Sequence, residues 1–117
     1  MVDAERAADV ETNSMIREAK DMHTYIVLMK LTDQGIRAVI DAPDRIEAGI
    51  KSLEALGGKV AGFYATLGEY DYVACVEAPN EAVVMRFLLA LGSAGDVRTT
   101  TMKALSRDEF EEIARKL

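Results

Sequence analysis

The chain has 117 residues, half of them hydrophobic and 29% charged, which is the size and composition of one globular domain and not of a disordered chain. Its formal net charge is −6, and Lys and Arg are spread along it, so neither a phosphate backbone nor an anionic lipid surface is an expected partner. One His, one Cys and the absence of CxxC, HxxxH or EF-hand spacing exclude the usual structural zinc and calcium motifs.

Residues 1–21 carry mixed charge and only a loose apolar stripe through Ala8 and Met15 that continues to Met22. They are expected to be an extension, helical or frayed, ahead of the domain at 22–117. HTYIVLMKL at His23–Leu31 is rich in β-branched and aromatic residues and reads as the first strand, followed by the cap signal Thr32-Asp33. Ile36, Val39 and Ile40 recur at helical spacing, and after Ala42-Pro43 the pattern resumes at Ile46, Ile50 and Leu53. This predicts a helix broken at Pro43, which suits the first turn of the second segment, and ended by Gly57-Gly58.

Lys59–Leu67 and Tyr70–Ala78 are strands separated by Gly68-Glu69, which predicts a two-residue type II′ hairpin. The implied register sets Thr66 against Asp71, Tyr64 against Val73, Gly62 against Cys75 and Val60 against Glu77. One face then carries Phe63, Tyr72, Ala74 and Val76 as core, while Val60, Tyr64, Asp71, Val73 and Cys75 lie on the other, too apolar for a plain solvent face. Asn80 caps a helix striped by Val84, Phe87, Leu88 and Leu91 and ended by Gly92. Asp96–Leu105 is a threonine-rich fourth strand, and Ser106 to Glu109 a capping box opening a helix with Phe110, Ile113, Ala114 and Leu117 on one face.

The order β-α-β-β-α-β plus a terminal helix is the ferredoxin-like arrangement of an α+β sandwich, with the helices expected on one face of the sheet. A second copy is the economical cover for the opposite face, so a homodimer or higher oligomer is expected. No apolar run approaches the roughly 20 residues needed to span a bilayer. The N-terminus is acidic where a secretory leader is basic, and the lone Cys75 suits a reducing compartment, so a cytoplasmic location is expected.

Three segments, TYIVLMKLTDQGIR, GGKVAGFYATLGEYDYV and ALGSAGDVRTTTMKAL, resemble the GYD-domain family of small bacterial and archaeal proteins, and the likeness runs from Met22 onward. Gly68, Tyr70 and Asp71 match the triplet that names the family. The resemblance implies a subunit similar to the dimeric α/β barrels, a group that includes cofactor-independent monooxygenases, haem enzymes, isomerases and non-enzymatic sensors. It implies no single activity and leaves the cofactor unknown. Residues 1–21 depart from the family pattern, in which the first strand lies near the N-terminus.

Candidate ligand-binding residues follow from chemistry. Asp71, on the expected interface face, either acts as a base or polar ligand group in an enclosed cavity or accepts hydrogen bonds and fixes the hairpin. Tyr25 and Tyr64 either turn hydroxyls into that cavity or serve as packing, and Thr66 sits opposite Asp71. Arg98 with the following threonines either binds an anion or forms an edge strand, spacing alone leaving open whether Arg98 or Thr99 points inward. His23, the only histidine, can titrate near neutrality or simply be exposed. Two functions follow: a small-molecule-binding or accessory, regulatory protein without its own catalysis, or an enzyme of monooxygenase or isomerase type, cofactor-independent or haem-assisted, using the inter-sheet cavity.

Overall fold

The structure is a computed structural model and describes residues 22–117; the expected N-terminal extension lies outside them. Four strands, β1 (His23–Leu31), β2 (Lys59–Ala65), β3 (Tyr72–Ala78) and β4 (Val97–Ala104), form a sheet of order β2-β3-β1-β4. All neighbours are antiparallel. Helices α1 (Asp33–Arg37), α2 (Ala42–Ala55), α3 (Glu81–Ala94) and α4 (Arg107–Arg115) complete it, with a 3-10 turn at Val39–Asp41 between the first two. The α+β ferredoxin-like arrangement expected from the sequence is present. No described helix is long and apolar enough to cross a membrane.

Alternation along each strand decides which side chains meet the helices. Tyr25, Val27 and Met29 of β1, Ala74, Val76 and Ala78 of β3 and Val97 of β4 are buried with Leu53, Val84 and Phe87 of the helices, and these make the core. Leu53, Val27 and Val76 are its most enclosed side chains. Phe63 and Tyr72 extend it, their ring centroids 5.1 Å apart.

Several boundaries differ from those expected, each for a local reason. The first helix breaks at Ala38, earlier than Pro43, and Pro43 sits in the first turn of α2. Helix α3 runs through Gly92 to Ala94, because the left-handed residue that ends it is Gly95, at φ 89°. The register shifts between Val60 and Gly62, so Val60 pairs with Val76 instead of Glu77. One extra residue at Ala61 flips Val60 onto the helix side, where it packs against the core. The hairpin loop is also longer than two residues: Thr66 N donates to Asp71 O at 2.8 Å, and the predicted Leu67 to Tyr70 pairing is absent. Gly68 keeps the expected positive φ, at 113°.

The crossovers lock onto the sheet at the end of β1. Thr32 caps α1 by accepting from Gly35 N at 3.1 Å, its hydroxyl donates to Gly95 O, and its own N–H donates to Asp96 O at 2.9 Å. A Cβ on Gly35 would collide with the Asp96 carbonyl, so only glycine permits this approach. Gly35→Ala is therefore expected to lower stability by about 1–3 kcal/mol, because backbone atoms must move to admit the methyl. Denaturant unfolding checks it, and an unchanged midpoint would show that the contact is dispensable.

Candidate functional site

Two surfaces have the makings of a site. The first is the open face of the sheet, built by the strand residues that alternate with the core. Ile26 and Leu28 of β1 stand beside Cys75 and Val73 of β3 on one flank and Met102 and Thr100 of β4 on the other. Tyr64 faces Val73 and is 66% exposed. None of the described helices closes this face, since the core they form lies on the other one.

The second surface is a groove of about 420 Å³ on the helix side, between α2, α3 and the sheet. Met29, Phe63, Tyr72 and Leu91 wall it, and the small residues Ala42 and Gly49 keep it open. Arg45 and Asp96 stand at its polar end as an ion pair, and Gln34 Nε2 donates to Asp96 Oδ1 at 3.0 Å. Sequence spacing did not single out these three residues. They lie in separate segments: Gln34 of α1 bonds Ala94 O and Asp96 Oδ1, and Arg45 comes to Asp96 from α2.

The candidates named from sequence are dispersed over the fold. Asp71 is committed to the scaffold: its carboxylate accepts from Leu31 N at 2.8 Å, and its own N–H donates to Met29 O at 2.9 Å. It therefore prolongs the ladder between β1 and the hairpin. Thr66 donates its hydroxyl to Tyr70 O at 2.6 Å within the loop. Tyr25 and Tyr64 lie on opposite faces of the sheet, the first in the core and the second on the open side. Arg98 is exposed and opposite Lys30, and its Nη1 donates to Gly92 O and Val97 O, both at 3.1 Å, at the β4 edge. Thr99, opposite Met29, takes the helix side. His23 lines a smaller cleft of about 310 Å³ with Thr24, Lys103 and Glu109. In that cleft Glu109 accepts from Ser106 N, and this backbone hydrogen bond, helped by the Ser106 side chain, holds its carboxyl below the usual value.

Two hydroxyls are buried without a partner among the described residues, Tyr25 OH and Thr101 Oγ1. Both belong to the helix side, where Thr101 sits opposite Val27. Burial raises the Tyr25 pKa above its ordinary value, and the carboxylate of Glu81 adds to the rise.

The sequence model of the GYD domain matches residues 25–114. The chain belongs to the GYD-domain family. A relative from Thermus thermophilus, named glutamine synthetase and cystathionine beta-lyase binding protein, is 44% identical over 85 residues. That match covers 72% of this chain and 90% of the relative. Among solved structures, a feast or famine regulatory protein from M. tuberculosis complexed with L-methionine superposes with a TM-score of 0.53 at 23% identity, covering 72% of this chain. This chain spans half the length of that regulator. MtbAldR superposes at 0.54 with 17% identity, covering 89% of this chain and 72% of its own. These likenesses bear on the fold alone. In this GYD domain the triplet's Gly68 supplies the loop's positive φ, Tyr70 has Lys30 Nζ 5.3 Å from its ring centroid, and Asp71 ties the loop to β1.

Asp71→Ala should cost about 1–3 kcal/mol by leaving the Leu31 amide unpaired, and Asp71→Asn less, because an acceptor remains. Unchanged stability of both variants would free Asp71 for a ligand role. Tyr25→Phe tests the orphan hydroxyl. A raised folded-state pKa contributes stability that is present below the unfolded value and lost as pH rises through the folded one. The phenylalanine variant is expected to be at least as stable at neutral pH and to lose less stability on the alkaline side. Marked destabilisation at neutral pH would instead reveal a bonding partner for the hydroxyl.

Proposed function

We propose that this GYD domain is a cytoplasmic accessory protein that acts by binding other proteins and works as a homodimer paired through its open sheet face. The observation that carries the reading is the relative at 44% identity, which is named for the two enzymes it binds and is matched over 90% of its length. The two enzymes in that name are accordingly the first partners to test. The partly apolar open face supports pairing, since an apolar patch spanning several strands is larger than monomers usually leave in water. Asp71, engaged with a strand amide, supports a scaffold role over a catalytic one.

A second reading is favoured by the helix-side groove. Its volume of about 420 Å³ falls within the range of small-molecule pockets, and its walls are almost wholly apolar apart from the Arg45 and Asp96 end. A metabolite seated there would make the protein a ligand-responsive accessory. The enzyme alternative, with Asp71, Tyr64 and Tyr25 acting together in a cavity, gains no support from tyrosines on opposite sides of one sheet.

Size-exclusion chromatography of the purified chain mixed with glutamine synthetase or cystathionine beta-lyase from the same organism tests the main reading. Co-elution with at least one of them at micromolar concentration is expected. Separate elution from both, together with conversion of a small molecule by the chain alone, would overturn it. Pairing is tested by sedimentation: the wild type should be dimeric at micromolar concentration, and Val73→Glu should dissociate or unfold it by placing a charge between two sheets. A stable, folded wild-type monomer would contradict the pairing.

A further inference from the structure

We infer that the helix-side groove takes a medium-length apolar chain ending in a single carboxylate, with the carboxylate on Arg45 and the chain lying between α2 and α3. The inference rests on the second reading above, a small molecule in that groove, and names its chemical class.

The space is held open by sequence and not by a packing need. Gly49 sits in the interior of α2, where glycine is disfavoured against alanine. A Cβ there would meet only Leu91 Cδ2, at the ordinary contact distance of 3.7 Å. Gly49 therefore differs from Gly35, against which a backbone carbonyl lies, and a longer side chain at 49 would reach into the groove that it lines. Ala42 of α2 and Ala90 and Ala94 of α3 line the same space. An apolar hollow left between two helices and a sheet forfeits burial and contacts that larger side chains would supply. A ligand with an apolar body supplies them instead.

Its length and its two ends describe that ligand. The lining spans Tyr72 to Val76 along β3, about 13 Å by the rise of a strand, and Phe87 to Ala94 along α3, about 10 Å by the rise of a helix. An extended chain of that length fits along it. Val60 and Val76, paired across β2 and β3, close one end, whereas Arg45, Asp96 and Ala94 lie at the other. Among the described residues that line it, Arg45 and Asp96 are the only charged ones.

The two partners of that ion pair are not equally available. Asp96 has both carboxylate oxygens engaged, Oδ1 by Gln34 Nε2 and Oδ2 by Arg45, and its side chain is only 16% exposed. Arg45 is 47% exposed, and among the described residues Asp96 is its one carboxylate partner, through Nη1. A guanidinium carries several further N–H donors in a planar fork that suits a second carboxylate. The group offered to a ligand is thus the cation. An ammonium on the ligand would find its carboxylate already taken, and a doubly charged phosphate would be repelled by Asp96 beside it. One carboxylate on an otherwise apolar chain meets both conditions.

Titration calorimetry of the full chain with decanoate, and with decanol as its uncharged counterpart, tests the class. The wild type should bind decanoate saturably and at least about tenfold tighter than decanol, because hydrogen bonds between ionised groups are the stronger kind. Arg45→Met, which keeps an apolar stem, should abolish that preference, and Gly49→Leu should weaken both ligands at least about tenfold by filling the space. Decanol bound as tightly as decanoate, with both weakened by Gly49→Leu, would overturn the carboxylate and leave the groove standing as a small-molecule site. Binding that Gly49→Leu leaves unchanged would put the ligand elsewhere and overturn the groove as well, and no binding of either probe would overturn the proposal. Should a variant unfold, amide resonances of the wild type report independently. Decanoate is expected to shift those of Gly49, Ala90 and Asp96, and shifts confined to open-face residues such as Ile26 and Val73 would overturn the proposal.

Discussion

The constraint from which the rest follows is that one sheet has two faces and its core is built on only one of them. Antiparallel β1 and β3 alternate Tyr25, Val27, Met29 and Ala74, Val76, Ala78 into that core. By the same alternation Ile26, Leu28, Val73 and Cys75 must point the other way. Side chains of this kind can be kept from water only by another layer. The described helices leave the second face without such a layer, and the functional question becomes what lies on it.

The three stretches that carry the family likeness converge on one spot, the end of β1. Asp71 holds Leu31 and Met29 from the hairpin side, and the Gly95-Asp96 loop holds Thr32 from the other. Gly35 is small because the Asp96 backbone lies against it. These residues look chemical in sequence, being Asp, Thr, Gln and Gly in recognisable strings, yet their polar groups are largely spent on positioning the crossovers. The aligned sheet and the groove beside Arg45 are the consequences of that junction.

Much of this was legible in the sequence. The order of the strands along the chain, the Asn80 and Ser106 caps and the positive φ of Gly68 follow from residue type and spacing, which are local properties. What escaped was set by contacts distant in sequence. The bulge that turns Val60 inward depends on its neighbour β3, and the longer hairpin loop arises because β1 captures Asp71. Ile36, Val39 and Ile40 have helical spacing but remain 53%, 44% and 90% exposed, so periodicity announced a face without saying what covers it. For the same reason Tyr25 and Tyr64 could be named as a pair from sequence although the sheet separates them.

The native thiol offers the most direct check on the covered face. Cys75 is half-buried within one chain and sits between Ile26 and Gly62 on the open side. Its rate of reaction with a small thiol reagent should fall as the wild-type protein is concentrated through the range where pairs form, because association hides it. A rate independent of concentration, equal to that of an exposed cysteine, would contradict the claim that a second copy closes the sheet.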